Sequence, residues 1–283
     1  MIRTLDASML NLPHGIAELA PLCAQHGIQA LSAPRALLED ERAAAEAAAI
    51  LADNGLVWGL MPMPADFYHW NLDDAAFDEA LRTLARQAKA AEKLGVTHAY
   101  NHVWSTGPRE FDENFGWHVR RVRAVSGILS DHGVRYGLEF LGPHELRTWQ
   151  PHEFVHSLAG VLAIADAAGG QAGVAFDTFH WYTSNGGNPD DVLYMAQHAD
   201  RLVALHLNDA VAGVPVAEQR DLQRRLPMET GVIDSRAILG KFQGQSCDAL
   251  YMIEPFEPAR TRFAAMTAQQ AVETVASVFA RLE

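Results

Sequence analysis

Four ionisable side chains stand where apolar runs end. They are Glu139 after Tyr136-Gly137-Leu138, Asp177 after Val174-Ala175-Phe176, His206 after Val203-Ala204-Leu205, and Glu254 after Tyr251-Met252-Ile253. Each run has strand character, so the polar residue at its end would be partly desolvated. Three carboxylates brought together there cannot all remain bare anions, because like charges at short range drive protons onto them. One divalent cation resolves the conflict. Three oxygen donors and one imidazole form a hard set, suited to Mn²⁺ first, with Co²⁺, Mg²⁺ or Zn²⁺ as alternatives; the set contains no cysteine, unlike a structural zinc centre. A lone strand-end carboxylate is ordinarily a helix cap or the partner of an arginine, and a lone histidine a core group bonded to a carbonyl. Four at equivalent ends of consecutive strands are not produced by capping alone.

The elements that must position them recur eight times along the chain. Strand-like runs over 2–7, 28–33, 57–61, 98–103, 136–140, 173–176, 203–207 and 249–253 are each followed by a segment with helical periodicity. The helical segments span 16–26, 41–52, 77–94, 117–132, 154–168, 192–198, 236–242 and 267–281. His26-Gly27, Asn54-Gly55, Leu94-Gly95 and His132-Gly133 each place a glycine immediately before an apolar strand, the signature of a helix stop. Eight such units in 283 residues predict an α/β chain folded as a single (β/α)8 TIM barrel, with residues 1–283 forming one domain. In that architecture catalytic groups sit where strands end and the following loops begin.

Composition narrows the partners. The net charge of −13 opposes binding to nucleic acid or to anionic membranes. No stretch reaches the ~18 uninterrupted apolar residues of a membrane helix, and the N-terminus lacks the basic and apolar blocks of a signal peptide. Cys23 and Cys247 are too few for a disulfide framework. A soluble, cytoplasmic protein is expected, acting on a small molecule, with a homo-oligomer left open.

With these motifs assembled, the chain resembles the xylose isomerase-like barrels. That family includes sugar phosphate isomerases and epimerases, ketose 3-epimerases, hydroxypyruvate isomerases and inosose dehydratases. The resemblance rests on Gly137-Leu138-Glu139, Phe176-Asp177-Thr178-Phe179-His180, His206-Leu207-Asn208-Asp209, Leu226-Pro227 with Gly231-Val232-Ile233-Asp234, and Ile253-Glu254-Pro255. It implies one divalent metal held by Glu139, Asp177, His206 and Glu254, and substrate contacts from His180 and Glu145. An arginine soon after the strand-seven histidine binds substrate in the ketose epimerases. Here the segment is longer, and Arg220, Arg224 and Arg225 are the candidates, Arg220 foremost. Many relatives also carry glycine after the Leu-Pro, where this chain has Met228.

The chemistry this set supports is proton transfer next to a carbonyl. A bound cation would acidify the carbon while Glu139 and Glu254, on different strands, remove and return the proton. Return to the opposite face gives epimerisation, return to the neighbouring carbon gives aldose–ketose isomerisation, and loss of a β-hydroxyl gives an inosose-type dehydration. Residue identity does not choose among them. His102 and Trp104, at the end of the fourth strand, are further candidates for substrate contact, as are Trp58 and Trp181 for stacking on a sugar; each has packing as its ordinary alternative. Two other classes are an endonuclease IV-like phosphodiesterase, which the charge disfavours, and a sugar-binding protein without turnover.

Overall fold

The computed structural model describes residues 1–283. Eight parallel strands form the barrel: β1 (Ile2–Leu5), β2 (Ala30–Leu31), β3 (Val57–Trp58), β4 (His98–Val103), β5 (Arg135–Phe140), β6 (Ala172–Asp177), β7 (Leu202–Leu207) and β8 (Leu250–Ile253). They are ordered β3-β2-β1-β8-β7-β6-β5-β4. A parallel bridge between Leu60 and His98 closes the ring, with Met61 N donating to His98 O at 2.7 Å. This is the (β/α)8 barrel the sequence predicts.

The outer helices are α1 (Ile16–Gln25), α2 (Glu41–Asp53), α3 (Asp74–Leu94), α4 (Phe111–Asp131), α5 (Leu158–Ala167), α6 (Pro189–Gln197), α7 (Ser235–Gly240) and α8 (Ala268–Leu282). Where a side-chain cap is present, as in all but α1 and α4, it rather than the apolar stripe sets the start. The helix expected from Phe77 begins at Asp74, because Asp73 accepts from Ala76 N at 2.8 Å. The one expected from Phe154 begins at Leu158, capped by Ser157, while His152–Glu153 pairs antiparallel with Thr106–Gly107 instead. Gly27, Gly55, Gly95 and Gly133 all have positive φ, between +67° and +79°, where a side chain would be strained. The apolar faces of strands and helices merge into a main core cluster, from Leu5 and Leu31 through Val134 and Phe176 to Phe279, and a small second cluster joins Leu60, Ala175, Ala204, Leu250 and Met252. Trp58 belongs to that core, and Trp181 is buried with its Nε1 donating to Asn188 O at 2.8 Å; these two tryptophans pack rather than face a ligand. No helix is long and apolar enough to cross a membrane.

Two histidines in this framework are buried without charge partners. Burial lowers His98 to about 4, and Arg135 adds to the effect. His118 on α4 falls to about 3 for the same first reason, its Nδ1 bonded to Asn114 O at 2.8 Å. Below pH ~6.5 the unfolded chain takes up protons that these folded imidazoles refuse, so stability falls as pH falls across this window. His118→Phe should therefore lose about 2 kcal/mol less stability than the wild type between pH 7 and pH 5. Urea unfolding at the two pH values checks this; an equal loss would mean that His118 protonates in the fold.

Candidate metal centre

The four strand-end residues meet at the centre of the barrel mouth. Each offers one ligand atom, and these atoms all lie within 4.8 Å of one another. Glu139 ends the apolar run of β5, Asp177 closes β6, His206 lies in β7, and Glu254 follows β8; all are buried. His206 Nδ1 is 2.9 Å from Oε1 of Glu139 and 3.5 Å from Oε2 of Glu254. Asp177 also caps a short helix, Thr178–Asn185, that periodicity does not reveal. Its Oδ1 accepts from Phe179 N and His180 N at 2.7 and 2.8 Å, and its Oδ2 accepts from Asn208 Nδ2 at 2.9 Å. Capping and cluster membership are thus combined in one carboxylate.

The donors fit a divalent cation. Glu139 Oε2 is buried without a hydrogen-bond partner; His102 Nε2 lies 3.0 Å away as a charge contact, out of line for a hydrogen bond. Nothing in the protein satisfies that oxygen's remaining lone pairs, as a metal would. Burial raises the carboxyl of Glu254, and it stands at about 8 although His206 and Arg224 pull it down. At Glu139 burial also raises, but the charges of His206 and His102 outweigh it and hold the group well below the usual carboxylate range. Burial would keep His206 and His102 neutral; the charge of Glu139 reverses this and lifts both to about 9.

Arg224 is the arginine that enters the cluster. Its side chain is 3% exposed, and Nη1 donates to Asp177 Oδ2 at 2.9 Å and to Glu254 Oε2 at 3.0 Å. Nη2 donates to Asp221 Oδ1 at 2.6 Å and to Nε2 of His180 at 2.9 Å. His180 is therefore beside the cluster, bound to its arginine. Glu145 and Arg220 meet at the rim instead, paired at 2.6 Å with Arg220 59% exposed. Arg225 turns away and donates to Glu257 O. Spacing singles out Arg220 because Arg224 lies in an irregular loop, where no period tells which side chain points inward.

A cavity of about 440 Å³ opens beside the cluster, along the ends of β1 to β4. Its wall includes Tyr100 and His102, and the Tyr100 ring lies 4.8 Å from that of His206. The His102 side chain is 41% exposed toward this space. Trp104 stands at its rim, its Nε1 donating to Asp66 Oδ2 at 2.6 Å. Tyr100 was not singled out in the sequence; its position in β4 two residues before His102 is the signal that places it on the same inward face.

Because Arg224 is the one guanidinium shared by two of the crowded carboxylates, Arg224→Gln should destabilise the chelator-treated protein by about 3 to 5 kcal/mol. Added Mn²⁺ should recover much of that loss. Thermal unfolding in EDTA and in Mn²⁺ checks both statements; equal losses in the two conditions would separate the arginine's role from charge compensation.

The fold has counterparts among known proteins. A xylose isomerase domain protein from Alicyclobacillus acidocaldarius subsp. acidocaldarius is 24% identical, with a TM-score of 0.81 over 100% of this chain and 98% of its own. The IolI protein, solved with a bound zinc atom, is 18% identical with a TM-score of 0.79, again over 100% and 98%. D-psicose 3-epimerase from Clostridium cellulolyticum H10, solved with D-tagatose, is 13% identical with a TM-score of 0.70 over 100% and 98%. These likenesses are of fold. No curated protein matches the chain in sequence. The xylose isomerase-like TIM barrel family model matches residues 20–278, and the chain belongs to that family.

Proposed function

We propose that the chain is a divalent-metal-dependent sugar isomerase or epimerase, its site built in one barrel domain spanning residues 1–283. The carrying observation is the set of four buried donors within 4.8 Å of one another, next to a cavity sized for a small ligand. Glu139, Asp177, His206 and Glu254 would hold one ion, Mn²⁺ by preference on their hard oxygen-rich set, though the IolI neighbour carries zinc. When bound, the ion supplies polarisation of the substrate carbonyl and charge for the crowded carboxylates.

The protein's own groups then divide the proton work. Glu139 accepts His206 on Oε1 and keeps Oε2 free of hydrogen bonds, facing His102. Glu254 accepts Arg224 on Oε2. Each glutamate thus has one oxygen without a hydrogen bond in the protein, and since a carboxylate oxygen carries two lone pairs, one can serve a metal while the other takes or gives a proton at a substrate carbon, from a different strand. His180 and Arg224 orient substrate oxygens, Glu145 and Arg220 close the rim, and His102 and Trp104 bound the cavity. The cavity wall includes Asp6, Ser8, Ser32, Asn101 and His102 and no lysine or arginine, and the two arginines of the site are already paired, Arg224 with Asp177, Asp221 and Glu254 and Arg220 with Glu145, which favours a neutral sugar over a sugar phosphate. The structural neighbours include epimerases of free ketoses and of a 3-keto-D-glucoside, which supports sugar epimerisation as the chemistry.

Four variants separate the roles. His206→Ala should lose metal sharply, and His180→Ala should impair turnover far more than metal content. Glu139→Gln or Glu254→Gln should retain part of the metal while kcat falls ~10² to 10⁴-fold. Metal analysis and kinetics on the same preparations decide, over a panel of ketoses, aldoses and inososes with Mn²⁺. In deuterated water the wild type should place deuterium beside the substrate carbonyl. Full conversion with no label and no tritium release would overturn the two-glutamate mechanism, and unaltered metal content in His206→Ala would overturn the site.

A further inference from the structure

The loops leaving β3, β4 and β5 bring together three tryptophans. Trp70 and Trp104 meet edge to face at 5.5 Å between ring centroids, Trp70 and Trp149 at 4.8 Å, and Trp104 and Trp149 at 6.2 Å. Trp104 lies two residues beyond His102, and the loop bearing Trp70 continues from Met61 and Met63. His102, Met61 and Met63 all line the cavity beside the metal cluster. The indole group therefore extends the rim of that cavity outward.

Its construction suits a ligand with a flat apolar face and a polar edge. Trp104 is fixed by Asp66. Trp70 has one face covered by the His69 ring at 3.8 Å, while Trp149 is 49% exposed. Packing thus holds the rings in place before anything binds, which lowers the entropic cost of binding. Trp70 and Trp104 are partly buried, so the surface left open beside the cavity is chiefly that of Trp149, and an exposed indole backed by two packed ones is suited to a ligand contact. The indole N–H of Trp104 is satisfied by Asp66, whereas Trp149, half-exposed, keeps its indole open to solvent or a ligand. A sugar ring offers both parts, a C–H face for the indoles and hydroxyl oxygens for the open indole edge. A plain aryl group offers only the face.

We propose that Trp70, Trp104 and Trp149 form a stacking subsite for a second, glycosidically linked sugar ring, so that the substrate is a neutral glycoside rather than a free monosaccharide. This rests on reading the adjoining cavity as a sugar site.

Binding measured apart from turnover tests it, by saturation-transfer NMR and tryptophan fluorescence on Mn²⁺-loaded protein with D-glucose, cellobiose, maltose and phenyl β-D-glucopyranoside. At least one disaccharide should bind about ten-fold more tightly than glucose. Trp149→Ala, a change at a half-exposed position, should bring that disaccharide down to the monosaccharide's affinity. The proposal fails if neither disaccharide exceeds glucose, if the advantage survives Trp149→Ala, or if the phenyl glucoside matches the disaccharide. It fails too if sedimentation shows a dimer that Trp149→Ala dissolves, since the indoles would then be a self-association face. Disaccharide binding without turnover of any sugar would sink the enzymatic reading and leave the subsite standing. Turnover of free sugars with no disaccharide advantage would do the reverse.

Discussion

Three buried carboxylates share a space a few ångströms across, and the protein must supply positive charge to keep them there. Much of the surrounding structure serves that demand. His206 is wedged between Glu139 and Glu254, His102 faces the open oxygen of Glu139, and Arg224 spans Asp177 and Glu254. A guanidinium at that depth must itself be held, because a long flexible side chain loses rotamer freedom when fixed. Asp221 and His180 bind its other nitrogen. The loop that delivers it is ordered from within: Asp209 accepts from the backbone N–H groups of Ala210, Thr230, Gly231 and Ile233, and Gln219 clamps Val211 and Val214.

The same loop shows how this chain accommodates an unusual residue. Met228 adopts φ +62°, the left-handed region where a side chain other than glycine costs about 1 kcal/mol or more. The position is one that glycine would occupy without strain. Here the methionine side chain packs against the core as a partly buried residue, and Asp209 holds the following residues in place. Packing on one side and hydrogen bonds on the other offset the local strain.

The barrel and its four central residues were legible because both leave periodic marks. Apolar runs ending in Glu139, Asp177 and Glu254 announce buried strands with polar tips, and glycine stops such as Gly95 announce the returns between helix and strand. What escaped was set by contacts rather than by pattern. Arg224 lies eighteen residues past His206 in an aperiodic segment, so its inward direction follows from Asp209 and Gln219, not from neighbours in sequence. The helix Thr178–Asn185 is too short and too mixed in polarity to show a stripe, and its start is concealed because its cap, Asp177, reads first as the strand's end. The three indoles come from three loops, and only the closed barrel makes them neighbours.

The ring of strands is unevenly laddered. From β4 through β8 the strands run four to six residues, whereas β2 and β3 have two residues each and the junction to β4 rests on one bridge. The four buried donors stand on the densely bonded arc, while the cavity wall springs largely from the sparse one. Substitutions that reshape what is bound therefore fall mostly where few backbone bonds register them, and the placement of the chemistry is insulated from such changes. A lineage built on this barrel can change the wall of its cavity without rebuilding the arc that carries the four buried donors.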